Sequence, residues 1–367
     1  MNPVFFMPTK IICEKGAVIK YGDELRYLGK TALVITGKKS SKLNGALDDI
    51  LSVLNKNNIN HYIFDDVEEN PSTSTISKIA EVNKNNNIDF VIGVGGGSAI
   101  DASKAASILL ANPSMNVMDL FSIDSFKSIP VVAIPTTAGT GSETTQYSIL
   151  TNHLIKNKAS IKAKLFPKLA FLDASYLMNT PQFITINTAI DALSHLIEGY
   201  LSTNCNLFSD NLAESGMKIF SECIKHLSDS KISFEIREKL LCASSIAGIV
   251  IAQSGTSLPH GMGYSLTYNH DVPHGMANGI LLKEYLKNYN FNDSIKISKI
   301  LSLLGFETLD DFGNYIENLF SNKVIVSISE LEEYSNYMIL NEAKLKNHPF
   351  KITYDDILNI YKNSLLK

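Results

Sequence analysis

Asp89–Ile100 reads D-F-V-I-G-V-G-G-G-S-A-I, and this stretch decides the fold. Asp89–Val94 is a short apolar run, the pattern of a strand buried on both faces. Gly95, Gly96, Gly97 and Ser98 follow, and Ala99–Leu110 then has the composition of a helix. Upstream, Thr31–Thr36 is a second buried strand ending at Gly37. Lys42–Asn55 carries Leu43, Leu47, Ile50, Leu51 and Leu54 at helical spacing. His61–Phe64 reads as a strand, Asn70–Thr73 as a loop that delivers a cap, and Ile76–Asn83 as a helix. Downstream, Ile129–Ile134 is a further strand that leads into P-T-T-A-G-T-G-S-E. Alternation of this kind predicts an open, mostly parallel sheet covered by helices.

Past Pro181 the strand signals fade. Asn187–Leu201, Phe208–Leu227, Ile236–Ser254 and Ile280–Lys287 read as helices, as do segments within 292–305, 308–320, 328–341 and 354–366. The expected division is an α/β domain over 1–178 and a helical domain over 179–367, meeting in a cleft. No internal repeat or low-complexity linker interrupts it.

Bulk composition narrows the function. The 367 residues are 45% hydrophobic and 19% charged, with a net charge of −4. That balance disfavours a generally basic nucleic-acid binder. No apolar run approaches the ~18–20 residues needed to span a bilayer. The start, M-N-P-V-F-F-M-P-T-K, has neither a basic nor a long apolar signal region. Cys13, Cys205, Cys223 and Cys242 show no paired spacing. They are expected as reduced thiols in a cytoplasm, packed as small buried hydrophobes.

The Gly95–Ser98 turn is a phosphate cradle. Glycines let the backbone approach a pyrophosphate, and the helix start offers free N–H groups. It is not a strict G-x-G-x-x-G, because Ser98 stands where the third glycine would be. A second loop, Pro135–Thr145, offers the hydroxyls of Thr136, Thr137, Thr140 and Ser142 for phosphate, ribose or amide. Its plain alternative is a capped turn, with Thr140 or Ser142 capping and Glu143 in the first turn. After the Thr31–Thr36 strand come Gly37, Lys38, Lys39, Ser40, Ser41 and Lys42. Two adjacent cations with no carboxylate lean toward the 2′-phosphate of NADP(H) over the ribose diol of NAD(H).

Four residues suggest a metal. Asp191 and His195 are four apart, hence on one helix face. His260 and His274 each open the tripeptide H-G-M. One carboxylate and three imidazoles suit a divalent ion such as Fe²⁺ or Zn²⁺. Metal plus nucleotide points to redox chemistry on an oxygen-bearing carbon.

These motifs together resemble the iron-containing (group III) alcohol dehydrogenases. The resemblance runs from P-T-K-I-I-C-E-K-G-A through V-E-E-N-P, G-G-G-S-A-I-D-A-S-K, P-T-T-A-G-T-G-S-E and D-A-L-S-H-L-I-E-G-Y to H-G-M-A-N-G-I. It implies a Rossmann-like dinucleotide-binding α/β domain plus an all-α C-terminal domain, the dehydroquinate synthase-like architecture. It also implies a divalent metal, iron or zinc, on Asp191, His195, His260 and His274, and frequent homodimers. The cofactor positions it implies are Gly96, Gly97, Ser98, Thr136, Thr137, Thr140 and Lys158. With the loop readings, the expected set also takes in Gly37, Lys38, Lys39, Ser40, Gly95, Asp101 and Ser142. One position departs from the family: Tyr264 stands where many members carry a histidine thought to relay protons, and His270 occupies a position that is His in some branches. The relay is open between His270, Tyr264 and water.

The expected activity is reversible hydride transfer between NADP(H), or NAD(H), and a small alcohol/aldehyde pair, with no nucleic-acid or membrane partner. The alternatives are a metal- and NAD-dependent lyase of the dehydroquinate synthase type and a polyol (glycerol-type) dehydrogenase. The lyase and phosphorylated polyols would require a basic pocket, and segments 187–204 and 255–280 contain no Lys or Arg. A site that merely stores metal would need no cofactor loops.

Overall fold

The computed structural model describes residues 4–153, 157–289, 294–320 and 324–366. The start of the predicted 292–305 helix, residues 292 and 293, lies outside them, as do the first three residues of the chain. Contacts divide the chain into two compact units. One contains residues 7–180 and 233–245, the other residues 1–6, 181–232 and 246–367. Sequence pattern alone places neither the N-terminal hexapeptide nor the stretch 233–245 in its unit.

The α/β unit contains, in chain order, β1 (Lys10–Cys13), α1 (Ala17–Tyr21), β2 (Thr31–Gly37), α2 (Ser40–Leu43), α3 (Ala46–Lys56), β3 (Asn60–Val67), α4 (Thr73–Asn83), β4 (Phe90–Gly95), α5 (Gly97–Ala111), β5 (Val131–Pro135), β6 (Ile149–Asn152), β7 (Asn157–Ser160) and β8 (Leu169–Leu172). Six strands form one sheet in the order β1-β8-β5-β4-β2-β3, with every pairing parallel. β4 and β8 are buried along their whole length. A strand covered on both faces needs apolar residues at every position, which is why these runs do not alternate. Leu33, Ile35, Val91, Ala102, Ala105 and Ile108 share one core. Each large aliphatic among them contributes about 1.5–3 kcal/mol by leaving water.

Three details depart from the sequence reading. The predicted 42–55 helix is two helices, α2 and α3, because Gly45 between them adopts φ +85. β1 and β8, four residues each, pair at one edge of the sheet and are too short to show a period. β6 and β7 form a separate antiparallel hairpin.

The helical unit is built from α6 (Gln182–Leu201), α7 (Leu207–Ile224), α8 (Phe234–Ser254), α9 (Leu258–His270), α10 (His274–Lys287), α11 (Ser294–Leu304), α12 (Leu309–Leu319), α13 (Ile328–Ile339), α14 (Glu342–Leu345) and α15 (Tyr354–Leu365). The residues of α8 up to Ser245 belong to the α/β unit. α9 was not legible as a helix, and α10 starts six residues earlier than its apolar pattern indicates. α10 opens on H-G-M and α9 carries the same tripeptide from its third residue, and glycine lowers helix propensity. The glycines are there for packing: a Cβ on Gly275 would lie 1.7 Å from the carbonyl oxygen of Asn187 on α6. Among the described residues no single helix is long and apolar enough to cross a membrane.

Candidate metal centre and cofactor loops

α6 places Asp191, His195 and Glu198 at successive turns of one face, all buried. α9 brings His260 in as its third residue, and α10 starts with His274. Ligand-type atoms of Asp191, His195 and His260 all lie within 4.8 Å of one another. The His195 and His260 rings stack at 4.3 Å, and His260 Nε2 is 3.4 Å from Asp191 Oδ1. His274 Nε2 stands 3.9 Å from the same oxygen and is the most exposed of the four, at 28%.

The fit to a cation rests on orphaned atoms. His195 Nδ1 and His260 Nε2 are buried without a hydrogen-bond partner among the described residues. Leaving a buried polar atom unsatisfied costs about 1–3 kcal/mol, and a divalent ion taking these lone pairs would remove that cost. Burial pushes the His195 imidazole down to about 4, so at neutral pH the ring is uncharged and one of its nitrogens offers a lone pair. Burial also pushes Asp191 up, yet His195, His274 and His260 together hold it well below the usual carboxylate range.

Three residues that sequence reasoning did not assign complete the surroundings. Glu198 bonds His260 Nδ1 through one oxygen, while its other oxygen accepts the Ser257 N–H at 2.6 Å. This fixes the ring and aims Nε2 at Asp191. The signal was the i, i+4, i+7 spacing of Asp191, His195 and Glu198. Asn278 donates to Asp191 Oδ1 at 3.0 Å, one turn after His274. Lys344, on α14, is the third. Its ammonium donates to the Thr256 hydroxyl and lies 5.5 Å from the Tyr264 ring centroid. Burial pushes Lys344 down to about 8, with Glu198 opposing. The absence of cations in 187–204 and 255–280 therefore does not leave the neighbourhood without one. Gly261 makes room for it, since a Cβ there would lie 3.2 Å from Lys344 Cγ.

The two expected relay residues separate. The Tyr264 ring stacks on His274 at 5.4 Å. His270, at the end of α9, instead has Nε2 2.9 Å from the Tyr334 hydroxyl and 3.4 Å from Glu330.

In the α/β unit the two predicted loops meet. β4 and β5 are neighbours, with Gly95 opposite Pro135. A Cβ on Gly97 would lie 2.7 Å from Thr140, and one on Gly96 would lie 3.2 Å from Thr137 Oγ1. Gly95 adopts φ +151, which an L side chain rarely takes. α5 starts on this turn with Gly96 as its cap and no side chain on its first N–H groups. A bare N-terminus of a 15-residue helix beside hydroxyls fits a phosphate.

The other expected residues divide into outward and inward groups. Asp101 accepts the Ile149 N–H at 2.9 Å and the Ser142 hydroxyl, and Lys104 donates to Ser142 at 2.8 Å. Asp101 and Ser142 thus brace the second loop from within. Burial holds Lys104 down at about 8. Ser142 opens a short 3₁₀ turn with Gly141 at the cap position, and the Thr140 hydroxyl accepts the Ser142 N–H at 3.3 Å. Lys158 donates to Asn70 Oδ1 at 2.7 Å, and the Asn70 N–H donates to Ser98 Oγ at 3.1 Å. Asn70, at φ +56, is the hub that ties Lys158 to the glycine turn. Beyond Gly37, Lys38 pairs with Asp66 at 3.2 Å and Lys42 with Asp65 at 2.5 Å. Strand β3 thus supplies carboxylates that the β2 sequence lacks, while Lys39 caps α2 and Ser40 opens it.

Comparisons with known proteins agree along the chain. Residues 8–174 match the family described as iron-containing alcohol dehydrogenase, and residues 185–365 match its C-terminal family. The NADPH-dependent butanol dehydrogenase of Clostridium saccharobutylicum is 31% identical over 94% of this chain and 88% of its own. The NADH-dependent butanol dehydrogenase A of Clostridium acetobutylicum is 32% identical over 79% of this chain and 76% of its own. An iron-containing alcohol dehydrogenase from Thermotoga maritima has a crystal structure that superposes with a TM-score of 0.93, at 40% identity, over 99% of both chains. The chain belongs to the iron-containing alcohol dehydrogenase family.

Proposed function

We propose that this protein transfers hydride reversibly between NADP(H) and a small primary alcohol/aldehyde pair at a divalent metal held by Asp191, His195, His260 and His274. The observation that carries the reading is the closeness of Asp191, His195 and His260, whose ligand atoms lie within 4.8 Å. A bound Fe²⁺ or Zn²⁺ would supply Lewis-acid polarisation of the substrate oxygen. A bound nicotinamide would supply the hydride-transfer chemistry. Everything else is the work of the chain. Glu198 holds the His260 ring in one orientation. Asn278 orients the Asp191 carboxylate. Tyr264 lies flat against His274 and limits its swing. Gly96, Gly97 and the start of α5 would hold the pyrophosphate, with Thr137 and Thr140 beside them. NADP(H) is favoured by Lys38, Lys39 and Ser40 at the end of β2, although Asp66 shares Lys38.

Lys344 favours a finer reading of the substrate. A half-buried ammonium with a hydroxyl as its hydrogen-bond partner can hold an anion. An aldehyde bearing a carboxylate would gain from it, where a plain alkanal would not. Metal-depleted protein reloaded with Fe²⁺ or Zn²⁺ tests both readings, using butanal and its ω-carboxylated analogue as substrates. Metal-dependent turnover is expected, with the acid preferred. Tight binding of metal and nucleotide without turnover of either aldehyde would favour the lyase class.

A further inference from the structure

Cys13 and Cys242 are 229 positions apart in the chain, yet their sulfurs lie 3.5 Å from each other. Cys13 ends β1, the edge strand of the six-stranded sheet. Cys242 stands on the part of α8 that belongs to the same unit. The expectation of four small buried hydrophobes fails here: Cys13 is exposed and Cys242 half-buried, whereas Cys223 is buried. We propose that Cys13 and Cys242 are a reversible dithiol–disulfide pair, a modification site for small-molecule disulfides.

The geometry needs little change. A disulfide holds its sulfurs about 2.05 Å apart, so closing the pair takes a movement of about 1.5 Å. The two thiols are unequal. The hydrogen bond between the two sulfurs, in which either can donate, lowers the Cys13 thiol, while burial, Glu238 and Asp173 oppose. The same bond, with burial and Glu238, raises Cys242. Cys13 is the exposed member of the pair and Cys242 the half-buried one, which makes Cys13 the attacking group.

The steps balance. The Cys13 thiolate attacks one sulfur of an oxidant RSSR, forming a mixed disulfide and releasing RS⁻. Cys242 then attacks the Cys13 sulfur and displaces the second RS⁻, and its proton passes to a released thiolate. Two protein thiols and one RSSR become one protein disulfide and two RSH. The protein loses two electrons and the oxidant gains them.

The other two cysteines lack this arrangement. Cys205 lies 3.3 Å from the Lys296 ammonium, and the Cys223 thiol donates to the Ile219 carbonyl. The position of Cys242 also links the pair to the cofactor loop. Ser245, one turn further along α8, donates to Glu143 at 2.5 Å and accepts the Thr144 hydroxyl at 2.9 Å. Clamping α8 to β1 therefore acts on the helix that anchors the end of the second loop.

The test uses the full-length reduced protein, folded, with excess oxidised glutathione at neutral pH. Free thiols should fall from four to two, peptide mapping should join Cys13 to Cys242, and dithiothreitol should restore all four. In Cys242→Ser, glutathione should stay on Cys13. NADPH affinity should differ between the reduced and oxidised forms by at least about fivefold. Four persisting thiols, or a cross-link through Cys205 or Cys223, would overturn the pair. An unmodified Cys13 in Cys242→Ser would overturn its role as the attacking sulfur, and equal NADPH affinities would overturn the link to the loop.

Discussion

Glu198 is hydrogen-bonded to Nδ1 of His260, and the opposite nitrogen of that ring faces Asp191 at 3.4 Å. A carboxylate behind a histidine fixes the tautomer and raises the basicity of the nitrogen in front. Glu198→Ala should therefore weaken zinc binding by about 10–100-fold, read by competition with a chromophoric chelator. Glu198→Gln should lose less, because an amide oxygen still accepts. Unchanged affinity in both variants would remove Glu198 from the metal-holding machinery.

His274→Ala should abolish metal-dependent turnover while NADPH binding persists. The side chain is on α10, whereas the loops proposed to hold the cofactor are on β4–α5 and after β5. Activity retained in the fully loaded variant contradicts a ligand role for His274.

Gly97→Ala adds a Cβ where Thr140 already stands, 2.7 Å away. The turn must open to accept it. NADPH affinity should fall at least about tenfold, equivalent to about 1.4 kcal/mol, and zinc affinity should not change. Unaltered NADPH affinity would mean that this turn does not hold the nucleotide.

Lys38→Glu places a carboxylate next to Asp66 at the end of β2. NADPH should lose more affinity than NADH, because only NADPH brings a 2′-phosphate to repel. Equal losses for the two cofactors would sink the 2′-phosphate argument.

His270→Asn should leave the pH–rate profile in place, since its ring is held by Tyr334 and Glu330. A displaced profile would return the proton relay to His270 against this geometry.

The α/β unit was largely legible because a buried parallel strand announces itself as an unbroken apolar run. Thr31–Thr36 and Asp89–Val94 became β2 and β4 within a residue at each end. The candidate ligands were legible as a pair on α6 and as two repeated tripeptides, and the structure brings Asp191, His195 and His260 together. α9 was not, because Gly261 and Gly263 lower helix propensity while allowing Met338 and Asn278 to approach. Lys344 could not be anticipated, since it comes to Tyr264 and Thr256 from some eighty positions away. The same holds for Cys13 and Cys242, whose encounter depends on α8 joining the sheet unit. Asp66 shows the limit of reading one strand end alone, because the partner of Lys38 comes from the neighbouring strand β3.

The central claim is hydride transfer that depends on the Asp191–His195–His260–His274 site. It is tested most directly with NADPH deuterated at both C4 positions, a short aldehyde, and anaerobically prepared protein with and without Fe²⁺ or Zn²⁺. The account predicts an alcohol carrying one deuterium on its hydroxyl-bearing carbon, formed only by the metal-loaded protein. Alcohol without deuterium, or the same turnover by metal-free protein, would contradict it.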